Sequence, residues 1–367
     1  MRYIWLICSC LLAFAAALPT NSSPAAAEEV HVYNWSDYID ESLLKKFEDE
    51  TGIKLVYDVF DSNEVLETKL LAGSSGYDVV VPSATFLERQ IQAGVFQPLD
   101  YSKLPNADNL WDVIKKRLQP YDPDNKYSVN YMWGTTGIGY NVKKVKEALG
   151  DDAPVDSLDL IFKPENMEKL AKCGVMFLDA PTEIIPAALK YIGEDPNSQD
   201  PEVIAKAEPV VAAVRPYVRK FHSSEYINAL ANGDICVAFG WSGDVFQARD
   251  RADEAENGVE IAYNIPKEGA LMWFDQMAIP KDAPNPDAAH KFINFMMDAH
   301  NMADASNYVY YANGNKASQE FLEKDVIDDP AIYPDAETMD KLFTVSAYDP
   351  KTQRVVTRMW TRIKSGT

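Results

Sequence analysis

Residues 30–83 read VHVYNWSDYIDESLLKKFEDETGIKLVYDVFDSNEVLETKLLAGSSGYDVVVPS, and the hydrophobic period changes back and forth along them. Val30-His31-Val32-Tyr33 alternates and is rich in β-branched residues, which predicts a strand. Glu41 to Thr51 places Leu43, Leu44 and Phe47 on one helical face, and Gly52 supplies the stop. Alternation returns from Ile53 to Phe60. Asp61-Ser62-Asn63-Glu64 then reads as a capping box opening a helix to about Leu71. Val79-Val80-Val81 is the short, unbroken apolar run expected of a strand buried on both faces. Strand, helix, strand, helix, strand in this order predicts an α/β unit with a mostly parallel sheet.

Outward from this stretch, Tyr131 to Tyr140 reads as a glycine-rich strand, followed by a basic helix from Val142 to Leu149. Residues 150–215 are mainly helical, with Pro and Asp breaks. Strands return at Ile235–Phe239, Val259–Ile265 and Met272–Ile279, and the charged tail from Pro334 is helical. No internal repeat or low-complexity linker divides the chain. The expected organisation is two α/β lobes, each a mixed, mostly parallel sheet flanked by helices, with hinge strands crossing near 133 and 262. Residues 28–133 with about 262–318 would form one lobe, and 134–261 with about 319–367 the other.

The 367 residues are 47% hydrophobic, which suits a full core and excludes a disordered chain. With 56 Asp+Glu against 35 Lys+Arg, the net charge of -21 argues against a nucleic-acid partner, which would require a basic face. It suits a protein that meets cations. Arg2, the apolar run Tyr3–Leu18 and the Ala25-Ala26-Ala27 triplet have the order of a secretory signal peptide over 1–27. The apolar run falls short of the roughly 20 residues a membrane span needs. An exported mature chain is expected, and it retains Cys173 and Cys236. Two cysteines in an oxidising compartment favour a structural disulfide, while a thiol nucleophile would lack any C-x-x-C or sequence-adjacent His.

Enzyme signatures are weak. Ser42-Leu43-Leu44-Lys45 matches S-x-x-K without its K-T-G or S-D-N companions. Gly134, Gly137 and Gly139 lie in a strand-like run, in the wrong order for a dinucleotide loop. Gly240-Trp241-Ser242-Gly243 is one residue short of a nucleophile elbow. His31, His222, His290 and His300 are scattered without metal-ligand spacing, so neither a metal nor a cofactor is expected.

Aromatic residues beside acids recur instead in loop-like positions: Trp35-Ser36-Asp37-Tyr38 and Trp241-Ser242-Gly243-Asp244 after strands, Trp273-Phe274-Asp275 in the later strand zone, and Tyr308, Tyr310 and Tyr311 before Asn313. Each alone is as readily packing or capping. Together they stand where α/β sheets bind ligands. Aromatic faces hold alkyl chains and ammonium groups, each contact contributing roughly 0.5–2 kcal/mol. Carboxylates pair ammonium groups whose unpaired burial would be costly. An extended organic cation fits that set.

The stretches VYNWSDYI, YDVFDSNEVLETKLLAGSSGYDVVVPS, YMWGTTGIGYN, FHSSEYINALANGDICVAFGWSGDVFQA, IPKEGALMWFD and TRMWTRIKSGT resemble the periplasmic polyamine-binding proteins of ABC importers. The resemblance covers essentially the whole mature chain. It implies a two-lobed, type II periplasmic substrate-binding fold that closes over putrescine or spermidine and delivers it to a membrane permease and its ATPase. Trp35 and Tyr38 would then form aromatic walls, with Ser36, Asp37 and Ser83 lining the same side. Glu183 would bring an acid from the other lobe, and Trp241 would stack on the methylene chain. Asp244 and Asp275 would pair the amines, and Trp273 and Tyr311 would complete the box. The resemblance also supports the Cys173–Cys236 disulfide. Ser36-Asp37 and YANGNKA look like putrescine-preferring members, whereas Trp273 looks like spermidine-preferring ones. A periplasmic monomer is the expectation for this class.

Three other readings stay open at this level. A polyamine sensor would signal to a membrane receptor instead of feeding a permease. Ferric iron could use the Tyr310-Tyr311 pair. An exported hydrolase could use Asp244 and Asp275 as a carboxylate pair.

Overall fold

The computed structural model describes residues 28–366, so the expected signal peptide, 1–27, lies outside the described residues. None of the helices among those residues is long and apolar enough to cross a membrane.

The N-terminal rhythm folds as its periods dictate. Strand β1 (Glu29–Trp35), helix α1 (Glu41–Thr51), β2 (Lys54–Phe60), α2 (Asn63–Leu71) and β3 (Val79–Val80) follow in order. β1 pairs in parallel with β2 on one side and β3 on the other, with Val32 opposite both Tyr57 and Val79. Gly52 ends α1 in the left-handed region at φ 70°, where a side chain would be strained. The start of α2 differs from the capping-box reading. Ser62, not Asp61, is the N-cap, and its Oγ accepts from the Val65 N–H, so Glu64 lies one position too early to close a box with it.

The sheet continues through β4 (Ser128–Asn141), β5 (Val175–Phe177), β6 (Lys220–Phe221), β7 (Val237–Trp241), β8 (Ile261–Asn264), β9 (Leu271–Ala278) and β10 (Ala312–Asn313). Its order is β2-β1-β3-β9-β4-β7-β5-β6, with β8 and β10 also on β4. The outer strands are parallel, as in β5 against β6 and β7. At the middle, the fourteen-residue β4 runs antiparallel to β9 over Ser128–Thr136 and to β7 over Thr136–Tyr140. One strand therefore serves both halves of the molecule. Its pairing with β9 is irregular between Asn130 and Trp133.

Two separate cores flank this junction. One gathers Val30, Phe47, Leu66, Leu87, Met277 and Phe292, and the other Ile138, Phe177, Leu189, Tyr226, Phe239 and Val356. Two cores around one shared strand pair make a two-lobed mixed α/β fold with the cleft at the junction. The chain passes from the second core back toward the first between Asn264, the end of β8, and Leu271, the start of β9. The long C-terminal helix Pro350–Ser365 packs Val356, Met359, Trp360 and Ile363 onto the second core.

Cys173 and Cys236 form a disulfide across 63 residues, tying the turn after the helix Pro164–Leu170 to the entry of β7. Closing a loop of that length contributes about 4 kcal/mol at most in the chain-entropy model. Replacing both cysteines by Ser is therefore expected to cost about 2–4 kcal/mol of unfolding free energy in urea titrations. An unchanged midpoint would show that the bridge constrains little.

Candidate functional site

The cleft between the lobes encloses about 630 Å³ of non-atom space, part of it open to solvent. Its eighteen lining residues include six acids, three tryptophans and two tyrosines, and none is Lys, Arg or His. The sheet puts them there. Trp35 ends β1, Ser83 precedes helix α3 (Ala84–Gln92), Trp241 ends β7, and Trp273 and Asp275 lie on β9.

Two carboxylates form the polar centre. Asp275 is 4% exposed and accepts from Ser83 Oγ at 2.7 Å and from Tyr38 OH at 2.8 Å. Ser83 is itself fixed by Asn63, whose Nδ2 donates to its Oγ and whose Oδ1 accepts from its backbone N–H, both at 3.0 Å. Tyr131 OH donates to the Tyr38 carbonyl at 2.6 Å, so the phenol that holds Asp275 is held in turn. Asp244 is 7% exposed and accepts from Tyr226 OH at 2.6 Å and Tyr311 OH at 2.7 Å. Hydroxyls can steady a carboxylate by charge-assisted bonds without neutralising it. Burial wins, pushing both Asp244 and Asp275 up to about 7 against the pull of those hydroxyls.

Glu183 supplies a third acid from the helix Pro181–Tyr191, bonded by Thr136 Oγ1 at 2.5 Å. Part of its side chain stays open to the cleft, yet its carboxyl lies among enough protein atoms that burial raises it to about 7, with Asp275 and Glu64 adding repulsion. Three carboxylic acids poised near neutrality in a cleft lined by no cation form a site that gains when a cation arrives.

Aromatic rings frame these acids. Trp35 stands edge-on to Trp241 at 5.6 Å between centroids, and its Nε1 donates to the Val81 carbonyl at 2.9 Å. Tyr311 lies edge-to-face with both Tyr38 at 5.3 Å and Trp273 at 5.2 Å. Two glycines permit this packing. A Cβ on Gly134 would stand 2.7 Å from the Trp273 ring, and one on Gly243 would stand 2.5 Å from the Tyr311 ring. The buried Trp273 Nε1 has no hydrogen-bond acceptor among the described residues.

Of the eleven expected ligand-site residues, Trp35, Ser36, Tyr38, Ser83, Glu183, Trp241, Asp244, Trp273, Asp275 and Tyr311 line the cleft. Asp37 does not. Its backbone takes φ 55°, which turns the side chain out of the wall, and its Oδ1 accepts from Arg251 Nη2 at 2.6 Å. Asp37 and the Arg251 helix, Ser242–Glu254, belong to opposite cores, so this pair bridges the lobes beside the cleft. The Tyr310-Tyr311 pair also separates. Tyr310 ends its helix at φ 57° and donates to Asp250 at 3.2 Å, whereas only Tyr311 reaches the cleft, so the two phenols do not converge as an iron site requires.

Sequence reasoning missed Tyr226 and Thr136, which hold Asp244 and Glu183. It also missed Asp61, Glu64 and Asp179 on the cleft wall. The FHSSEYI stretch carried Tyr226 in plain view, but a lone tyrosine on an amphipathic helix carries no signal beyond packing. Asp179 is occupied by its own lobe, accepting from Trp360 Nε1 at 2.7 Å and Lys364 Nζ at 2.8 Å.

Comparison with known proteins places this geometry. A family described as bacterial extracellular solute-binding proteins matches residues 42–334. The chain is 55% identical over 358 residues to the putrescine-binding periplasmic protein PotF of Escherichia coli, covering 97% of each chain. It is 56% identical over 355 residues to the putrescine-binding periplasmic protein SpuD of Pseudomonas aeruginosa, again covering 97% of each. Among solved structures, a putative spermidine/putrescine ABC transporter protein from Listeria monocytogenes superposes with a TM-score of 0.81 at 34% identity, over 92% of this chain and 99% of that one. A two-lobed fold, a cation-free acidic cleft at its junction and a family match over most of the length agree: the chain belongs to the bacterial extracellular solute-binding proteins.

Proposed function

We propose that this protein captures polyamines, putrescine or spermidine, in the cleft between its lobes and delivers them to an ABC permease for import. The observation that carries the reading is the pair Asp244 and Asp275, each buried and each clamped by two hydroxyls, in a cleft whose lining holds no Lys, Arg or His. One ammonium at each carboxylate, with the methylene chain between Trp35, Trp241 and Trp273, would satisfy both of these costly buried carboxylates. An amino acid or an anion would bring a negative charge into a wall that offers it no partner.

The relatives support this choice of ligand. Those at 55–56% identity are putrescine-binding proteins, and more distant ones at 34% are spermidine/putrescine-binding periplasmic proteins. A periplasmic location, a monomeric state and a binding role without catalysis go with the reading, as does the export signal over 1–27. We take residues 28–133 with about 262–318 as the first lobe, and 134–261 with about 319–367 as the second. No cofactor or metal enters the scheme. Ferric iron loses its tyrosine pair, and the clustered tryptophans serve it no purpose.

Titration calorimetry on the mature protein, stripped of bound ligand by unfolding and refolding, tests the proposal against putrescine, cadaverine, spermidine and spermine. One-to-one binding of at least one diamine or triamine is expected. Absence of heat with all four, in protein shown to be folded, would overturn it.

A further inference from the structure

Beside the cleft lies a groove with about 1000 Å³ of non-atom space, part of it open to solvent, running between the start of α2 and the C-terminal helix of the other lobe. Cleft and groove share Asp61, Ser62, Glu64, Asp179 and Ser223 in their walls, so the two spaces adjoin at these residues. Past those residues the groove passes Val65, Phe221 and Trp360, an apolar surface suited to methylenes.

The acids continue along the same line. Asp275 is felt by Asp244, Glu183 by Asp275, and Glu183 again by Glu64. The last of these stands at the junction of cleft and groove. Lys364 and Asp179 neutralise one another on the groove's far side, with Nζ 2.8 Å from both carboxylate oxygens. Glu64 accepts from Ser62 Oγ at 3.2 Å and from its own backbone N–H, and although it makes no ion pair among the described residues, the Arg89 guanidinium acts on it from a distance. Burial disfavours its charged form, so a cation placed there would be welcome.

We infer that the ligand site is open at this end, and that Glu64 is the acceptor for a third ammonium when a linear triamine projects its tail from the cleft into the groove. The inference rests on the polyamine reading above. It assigns the chemical class that the groove admits: diamines extended or substituted on one nitrogen, with a terminal cation favoured over a neutral tail. A cleft sealed at Glu183 would reject both kinds of tail alike.

A thermodynamic cycle between ligand and protein separates these cases. Norspermidine is a symmetric triamine, and its monoacetyl derivative keeps the same chain, lengthened by one acetyl group, while losing one terminal charge. Binding of both, and of putrescine, is measured by calorimetry on the full mature wild-type protein and on Glu64→Gln. In the wild type, acetylation is expected to weaken binding about tenfold, the scale of one partly desolvated charge pair. In Glu64→Gln the two triamines should bind within about twofold of one another, and Glu64→Asp should restore part of the difference. Equal acetylation penalties in wild type and Glu64→Gln would overturn the assignment of Glu64. Failure of acetylated triamine to bind at all, while putrescine binds, would show that the cleft is closed and overturn the open end. Failure of putrescine and both triamines to bind wild-type protein would instead bring down the polyamine reading itself, and this inference with it.

Discussion

Replacing Asp275 with Asn is expected to weaken polyamine binding at least about tenfold, and to leave the unliganded protein no less stable above neutral pH. Truncating one partner of a buried, hydrogen-bonded charge pair costs about 2–5 kcal/mol in binding. Two features of this site bring the expectation toward the lower end. Asp275 is near half-protonated at neutral pH, so the wild type already spends free energy ionising it. The Asn carbonyl can also retain one donor from Ser83 or Tyr38, which now bond Oδ1 and Oδ2. An amide in place of the carboxylate would nonetheless turn an N–H toward the ammonium, replacing attraction by repulsion. The stability clause separates a lost ligand contact from a damaged fold. A buried carboxylate without a cation opposes folding once it is ionised, and the isosteric amide removes that term. Calorimetric affinities within threefold of wild type would show that Asp275 does not meet the ligand. A variant that both binds poorly and melts well below wild type at pH 8 would show that the carboxylate holds the fold instead.

The first half of the fold was legible because its information is local. In β1, α1 and β2, period and punctuation agree, down to the left-handed Gly52 that stops α1. The lobe crossing expected near 133 falls within β4, but its partners were not legible: β7 and β9 come from about a hundred residues or more along the chain, and nothing in YMWGTTGIGY names them. The site divides the same way. Trp35, Trp241 and Trp273 could be read because aromatics beside acids at strand ends are an unusual coincidence. Asp37 was placed with Ser36 by the resemblance alone, and its neighbours in sequence do not report where a residue just past a strand's end points. One left-handed backbone angle then sends Asp37 to Arg251 while Tyr38 turns inward to Asp275. Tyr226 and Thr136 were hidden for a different reason. Each acts by orienting another side chain from a distant element, and such pairing leaves no mark on local sequence.

Ligand affinity and unliganded stability are expected to depend on pH in opposite senses. Asp244, Asp275 and Glu183 each titrate near 7 in the folded, empty protein, about where a polyamine's own ammonium groups are still fully charged. Above 7 the acids are ionised and binding proceeds at full strength. Below 7 each carboxyl that pairs an ammonium must first release its proton, so affinity should fall by about tenfold per pH unit for every such group. Binding at pH 6 should therefore release protons, and calorimetry in buffers of different ionisation enthalpy counts them directly. The empty protein behaves otherwise. These three groups have folded values raised above the roughly 4 of an unfolded carboxyl, so the folded state binds more protons than the unfolded one between about 4 and 7. The stability they contribute is fully present below about 4 and is lost as pH rises through about 7. Over the range 5.5 to 8, their share should make the empty protein melt higher at the acidic end, and saturating ligand should erase or reverse that trend, because it binds tightest where the empty site is least stable. The two trends have one cause, three acids buried without a partner. Neutralising Asp244 and Asp275 together by Asn should therefore shrink both, leaving the share of Glu183. An affinity that stays level from pH 8 to pH 5, with no proton released, would mean that the cation is held by the aromatic box and not by these carboxylates.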